Sequence, residues 1–221
     1  MSRVLRVTLW PLLAAAPMIL ASLSPARFFA DTRCIVFFCF MVLGLAIENA
    51  MVDPKSVRDS SSKEQGKRDR KSFELSALTN IACFYLPVYD YLNLAPVVPR
   101  STTTLVVGLA LMVLGEGLRV VALHTLGRFF TMRVAVLEGH RVVKEGLYRF
   151  VRHPAYTGWV LLSLGVGFYF GSIVGVVGTS MFVVVLGWRV KVEEAALSEL
   201  LGEEYKRYMR EVPRRFLPGI F

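Results

Sequence analysis

The feature that most constrains this chain is the stretch from Gly158 to Trp188, thirty-one consecutive residues without a charged side chain, bracketed by two basic segments. Upstream, His124 to Thr157 carries six Lys/Arg against two acids; downstream, the tail from Arg189 onward carries seven Lys/Arg. Basic flanks of apolar spans stay on the cytoplasmic side of a membrane, so both ends of the stretch belong on one side. One straight helix of that length would extend about 46 Å at roughly 1.5 Å per residue, well beyond a hydrocarbon core of about 30 Å. A single crossing would also put its ends on opposite sides. The segment must double back. Gly165, Gly167, Gly171, Gly175 and Gly178 offer places for the reversal. Gly171-Ser172 is the expected one, giving two arms rather short for a full crossing and a hairpin that penetrates only partly.

The rest of the chain fits that frame. With 54% hydrophobic residues, 19% charged ones and a mean hydropathy of +0.51, it is not an ordinary water-soluble domain. After Arg3 and Arg6, an apolar stretch from Val7 to Leu23 reads as a retained anchor, being long for a signal peptide and lacking a small-x-small cleavage site. Further spans run over Ile35 to Val52, Leu75 to Ala95 and Thr102 to Leu123, separated by turn residues such as Ser24-Pro25 and Pro96 to Pro99. The expected fold is therefore all-α: a multi-pass integral membrane protein with about six transmembrane helices, including the C-terminal hairpin. The loop at 53–72 holds seven Lys/Arg and four Asp/Glu and reads as cytoplasmic. The expected cytoplasmic stretches hold 22 Lys/Arg and the external ones three, Arg27, Arg33 and Arg100, which puts both termini inside. From Lys191 to Val212, apolar residues recur at three-and-four spacing, predicting an amphipathic helix at the membrane surface that ends at Pro213. The chain divides into N-terminal helices over 1–114 and a catalytic region over 115–221. The latter comprises a loop at 124–158, the hairpin at 158–190 and the amphipathic tail at 191–221.

A net charge of +9 suggests polyanions, but the cations sit beside apolar spans, where anionic lipid rather than nucleic acid is the expected partner. Cys34, Cys39 and Cys83 lie in apolar stretches without paired spacing and read as packing residues. The three histidines, His124, His140 and His153, lack the spacing of a metal site. Neither a phosphate loop nor a G-x-S-x-G elbow is present.

Ionisable groups within spans are costly and need a partner or a task. Glu116 and Arg119 stand three apart on one helix face and are expected to pair with each other, while Glu48 and Asn49 reach the membrane interface. The densest cluster is the run from His140 to Gly158, which sets Arg141, Lys144, Tyr148, Arg149, Arg152, His153 and Tyr156 directly against a membrane helix. A basic anchor loop, with Pro154 opening the next helix, is the plainer reading. The hairpin adds a second one, because its far end carries Arg189, Glu193 and Glu194. Folding back brings Arg152-His153 against Arg189-Glu193-Glu194 at the membrane boundary. Arg189, Glu193 and Leu197 follow at intervals of four on one helix face. That face is either salt-bridged to solvent or compensated by a bound ionic ligand.

Read in order, His140-Arg141-Val142-Val143, Gly146-Leu147-Tyr148, Arg152-His153-Pro154-Ala155-Tyr156-Thr157-Gly158, Arg189, Glu193-Glu194, Gly202-Glu203-Glu204-Tyr205 and Val212-Pro213 resemble the isoprenylcysteine carboxyl methyltransferase family and its phospholipid methyltransferase relatives. The likeness covers residues 115 to 218. It implies S-adenosylmethionine as cofactor, held by the loop and the C-terminal helix. By the same likeness His140 to Val143, Gly146, Tyr148, Arg152, His153, Pro154, Ala155, Tyr156, Glu193 and Glu194 bind that cofactor, Glu193 beside its cationic end. Arg189 resembles the position that meets the acceptor's carboxylate. The catalytic set implied is Arg189, Glu193 and His153, with no metal.

A carboxylate acceptor is already nucleophilic at neutral pH, so positioning and exclusion of water do most of the work. An amine or thiol acceptor must lose a proton, and His153 is then the candidate base. The first expectation is methyl transfer to a lipid-like acceptor entering from the membrane, such as the carboxylate of a prenylated cysteine. Where eukaryotic members carry a longer acidic run, this chain has Lys191-Val192 before its two glutamates. The acceptor therefore stays open to a phospholipid or another N- or S-methylated molecule. An NADPH-dependent membrane reductase and a non-enzymatic lipid-binding membrane protein are the alternatives of other classes.

Overall fold

The computed structural model describes residues 23–52, 70–94, 100–130 and 141–216. The expected span at 7–23 apart from Leu23, all but the end of the 53–72 loop, the Pro96 to Pro99 turn and His140 lie outside them. Among the described residues the chain is helical: α1 (Pro25–Ala30), α2 (Thr32–Met51), α3 (Arg70–Asn93), α4 (Thr102–Leu126), α5 (Pro154–Phe170), α6 (Ile173–Leu201) and α7 (Glu203–Glu211). Three candidate membrane spans, Thr32–Met51, Thr102–Phe129 with its closing 3₁₀ turn, and Ile173–Leu201, are long and apolar enough to cross a bilayer. Their outward faces are greasy: Val184 is 74% exposed and Met181 63%, a surface suited to lipid rather than water.

Local chemistry sets the boundaries. Asp31 caps α2 by accepting from the Cys34 amide at 3.1 Å, and Ser101 caps α4 by accepting from Thr104 N at 3.2 Å. α3 begins before the expected Leu75, taking in Arg70 and Lys71, and it contains Pro87. That proline packs where α6 offers only Gly175: a Cβ there would sit 2.7 Å from Pro87 Cγ.

The apolar stretch reverses at Gly171, whose φ of 60° and ψ of 38° lie in the left-handed region. The Ser172 amide closes the turn onto the Gly167 carbonyl at 2.8 Å, and the Ser172 hydroxyl accepts from Gly175 N at 3.1 Å to start α6. The two arms are unequal, however. α5 has 17 residues, short of a full crossing, whereas α6 has 29, about 44 Å at 1.5 Å per residue. α6 runs unbroken through Arg189 to Leu201, which corrects the expectation of a separate tail helix starting at Lys191. The break comes at Gly202, with a φ of 59°, and the nine-residue α7 follows.

The closest helix pair is α4 against α5. A Cβ on Gly115 would sit 2.6 Å from the Gly158 carbonyl oxygen, and one on Gly158 would sit 2.5 Å from that of Gly115. Two backbones touch there because neither residue has a side chain. Below this contact, Phe37 meets Phe170 edge-on at 5.0 Å within a core that includes Met112, Leu162 and Val166.

The Gly115–Gly158 contact also decides where Arg119 goes. One turn further on, Arg119 is buried and bonds to Glu48 of α2, with Nε donating to Oε1 at 2.5 Å and Nη2 to Oε2 at 2.8 Å. This corrects the expected Glu116–Arg119 pair and the reading of Glu48 as an interfacial residue. The i,i+3 neighbour loses to an interhelical carboxylate that accepts both forks of the guanidinium. Glu116 Oε1 instead lies against Gly44, without a hydrogen bond among the described residues. Arg119 Nη1 also donates to the Ala155 carbonyl at 3.3 Å, and its guanidinium stacks 4.1 Å from the Trp159 ring centroid. Removing one partner of a buried ion pair costs about 3–5 kcal/mol. Glu48→Ala is therefore expected to lower the thermal unfolding midpoint strongly, and Glu116→Ala only slightly, in the same detergent scan.

Candidate functional site

The site grows from the start of α5. Pro154 occupies the first helical position, where a missing N–H costs nothing, and His153 is the N-cap. The backbone amides just before the proline are held by the chain's C-terminal segment: Arg152 N donates to Arg214 O at 3.0 Å and His153 N to Arg215 O at 2.8 Å. Arg152 Nη1 adds a bond to Val212 O at 2.5 Å.

Glu194 of α6 is the centre of this clasp. Its Oε1 accepts from Arg152 Nε at 2.7 Å and from His153 Nε2 at 3.2 Å, and its Oε2 accepts from Arg215 Nε at 2.9 Å. A carboxylate only accepts, so His153 Nε2 is the donor. Arg152, His153 and Glu194 are all buried. One turn into α5, the Tyr156 hydroxyl donates to Glu193 Oε2 at 2.6 Å and accepts from Arg189 Nε at 3.0 Å. Tyr156 thus bridges the cation and the carboxylate of α6. Its ring is stacked between His153 (5.5 Å, 5°) and Trp159 (5.8 Å, 13°), so its place is fixed on both faces.

These groups surround one open cavity at the end of the bundle. Arg141, Val142, Val143, Tyr148, Arg152, His153, Ala155, Tyr156, Arg189 and Glu193 all line it. Three other expected site residues do not. Glu194 lies behind the wall in the clasp, Pro154 caps α5, and Gly146 takes a φ of 56° in the 3₁₀ turn Gly146–Arg149. Leu197, Leu201, Tyr205 and Tyr208, expected as the apolar face of an amphipathic tail, also line the cavity. Leu126, Phe129 and Phe130 complete it from the end of α4. They were not anticipated, and only the aromatic pair just after a helix-ending glycine marks them in the sequence.

The roof is fastened by polar contacts to α7. Tyr208 donates to the Tyr148 carbonyl at 2.7 Å, Val142 N to Glu204 Oε1 at 3.3 Å, and Lys144 pairs with Glu211 at 2.6 Å. Burial pushes the phenols of Tyr148, Tyr205 and Tyr208 well above the usual range, and the Glu193 carboxylate adds to this at Tyr148 and Tyr205. All three therefore act as neutral donors and ring surfaces.

The donor set suits a ligand with both charges and a flat ring. Guanidiniums of Arg141, Arg152 and Arg189 match a carboxylate, the Glu193 carboxylate matches a cation, and aromatic and aliphatic side chains offer faces for a heterocycle. The Glu194 contact to His153 Nε2 fixes the orientation of the imidazole in the cavity wall.

Residues 107–199 match the model of the isoprenylcysteine carboxyl methyltransferase (ICMT) family, in line with the likeness drawn from the motifs. Among similar proteins, protein-S-isoprenylcysteine O-methyltransferase B of Arabidopsis thaliana is 34% identical over 113 residues, 48% of this chain and 55% of the relative. The protein-S-isoprenylcysteine O-methyltransferase of Xenopus laevis is 30% identical over 157 residues, 67% of this chain and 52% of its own. The chain thus spans about half the length of the curated relatives it matches. A solved structure of the eukaryotic intramembrane Ras methyltransferase ICMT resembles 88% of this chain, over 70% of its own, with a TM-score of 0.56 and 23% identity. That likeness concerns the fold.

Proposed function

We propose that this chain is an integral-membrane methyltransferase that transfers a methyl group from S-adenosylmethionine to a lipid-like acceptor, the carboxylate of a prenylated cysteine first. The observation that carries the reading is the Arg189–Tyr156–Glu193 bridge, which puts a guanidinium and a carboxylate in one cavity beside the Arg152–His153 clasp. The family match over 107–199 covers these same residues. In this reading residues 115–221 are the catalytic region and 1–114 the membrane anchor. The wider arrangement is about six crossings, both termini cytoplasmic, with basic cytoplasmic loops against anionic lipid.

When bound, S-adenosylmethionine supplies an electrophilic methyl on a sulfonium. Arg141, Val142, Val143, Tyr148, Ala155 and Tyr156 enclose the donor, His140 belongs to the same loop, and Gly146 and Pro154 set the turns that present them. Arg152 and His153, held by Glu194, take the donor's carboxylate side, and Glu193 faces its cationic side. Arg189 holds the acceptor carboxylate. A donor held there would supply its methyl to the acceptor carboxylate oxygen that Arg189 would present, the electrons of the S–CH₃ bond staying with sulfur. An anion and a cation become two neutral centres, so a site shielded from water favours the step and needs no base. The apolar flanks of α5 and α6 let a lipid tail lie alongside.

The test is incubation of purified protein with methyl-labelled S-adenosylmethionine and an N-acetylated S-prenylcysteine. The expected product is a methyl ester that releases labelled methanol in mild base. A base-stable label on a phospholipid amine would move the assignment to N-methylation. Saturable NADPH binding without S-adenosylmethionine binding would replace it with a reductase, and no saturable binding of either would leave a lipid-binding membrane protein.

A further inference from the structure

At the end of the bundle away from the cavity, the start of α2, the ends of α3 and α5 and the approach to α4 meet. Tyr169 donates to the Arg33 carbonyl at 3.0 Å, and Tyr91 lies 5.2 Å from Phe170. Two guanidiniums converge there on a single ring: Arg100 Cζ is 4.6 Å and Arg33 Cζ 5.9 Å from the Tyr91 centroid. Like charges drawn to one place need a counter-ion. The nearby Asp31 carboxylate offers one negative charge against the two positive ones and is turned to other donors, Oδ1 accepting from Cys34 N at 3.1 Å and Oδ2 from the Tyr91 hydroxyl at 2.9 Å. Among the described residues Arg100 Nη2 reaches only the Leu94 carbonyl, at 3.3 Å. Arg100 Nε and Arg33 Nη1 are buried donors without a hydrogen bond among the described residues. Unsatisfied buried donors are rare and costly, and charged ones more so. Apolar surface flanks the pair at the same end, with Phe29 54% and Leu94 48% exposed.

We propose that Arg33, Arg100 and the Tyr91 ring form a binding site for the phosphate of an anionic membrane lipid at the end of the bundle opposite the cavity. Guanidinium N–H groups match phosphate oxygens in geometry and charge. The exposed apolar side chains beside them accommodate acyl chains, which a free phosphate lacks. The sequence read these two arginines only as exceptions among the external loops; the site gives them a task. It is independent of the methyltransferase reading and rests on the apolar helices lying in a bilayer.

The test is native mass spectrometry of delipidated full-length protein titrated with dioleoylphosphatidylglycerol, dioleoylphosphatidylcholine or inorganic phosphate. Phosphatidylglycerol is expected to bind tightest. Arg33→Gln/Arg100→Gln should weaken it about tenfold, while the charge-matched Arg149→Gln/Arg207→Gln, at exposed positions of the other end, should change it less than about twofold. Arg33→Lys/Arg100→Lys keeps both charges but loses the planar fork, and is expected to fall between; it decides the matter where the glutamine pair does not fold. Wild-type affinity in the lysine and glutamine pairs, or an equal loss in the control pair, overturns the site. Inorganic phosphate binding as tightly as the lipid overturns the lipid assignment.

Discussion

Replacing Glu194 by alanine is expected to lower affinity for S-adenosylmethionine by about a hundredfold or more, although Glu194 does not line the cavity. Its two oxygens accept from Arg152, His153 and Arg215 at 2.7–3.2 Å. The Arg152 and Glu194 side chains are each only 5% exposed. Deleting the carboxylate strands a buried guanidinium and frees the imidazole, and breaking such a pair costs about 3–5 kcal/mol. Both the thermal midpoint in detergent and the binding constant should fall. Glu194→Gln keeps one acceptor oxygen and is expected to lie between. Glu193→Gln separates fold from site: its carboxylate lines the cavity outside the clasp, so binding should weaken while the midpoint holds. Unchanged binding in Glu194→Ala would show that the clasp does not position the loop.

The second large effect belongs to Arg189. Alanine there is expected to reduce kcat/KM for the acceptor by about 10²–10³-fold, with affinity for S-adenosylmethionine changed less than about threefold, because the guanidinium is assigned to the acceptor's carboxylate. Lysine should not restore activity, since a point charge cannot present the planar fork. Tyr156→Phe removes the hydroxyl that accepts from Arg189 Nε and donates to Glu193. It should cost about tenfold in the same constant, near the strength of one charge-assisted hydrogen bond. Equal losses in donor and acceptor constants would assign Arg189 to the donor instead.

The parity of charge around 158–188 led directly to a reversal, and the glycine run led to its place, because both are local properties of the chain. Arg189, Glu193 and Leu197 were legible as one face from their spacing alone, and all three line the cavity. What escaped was the choice among partners. Arg119 has acids available at i−3 and across the bundle, and only the Gly115–Gly158 contact, which brings α4 and α5 together, reveals that it reaches Glu48 and Ala155. The sequence offers Glu193 and Glu194 as one pair, yet a helix turns about 100° per residue, so Glu193 meets the cavity and Glu194 the clasp. Most of the holding by residues 212–215 has no signature in the sequence because, apart from the Arg215 guanidinium on Glu194, it is done by backbone carbonyls. The end of α6 is hidden in the sequence because apolar patterning changes to amphipathic with no helix breaker until Gly202.

The most direct measurement is ultraviolet crosslinking of methyl-labelled S-adenosylmethionine to the purified protein, with the labelled peptides mapped by mass spectrometry. The account predicts label confined to peptides within 126–156 and 189–208, suppressed by excess S-adenosylhomocysteine and absent from Arg152→Ala. Label on α2 or α3, or label that the competitor does not displace, would contradict it.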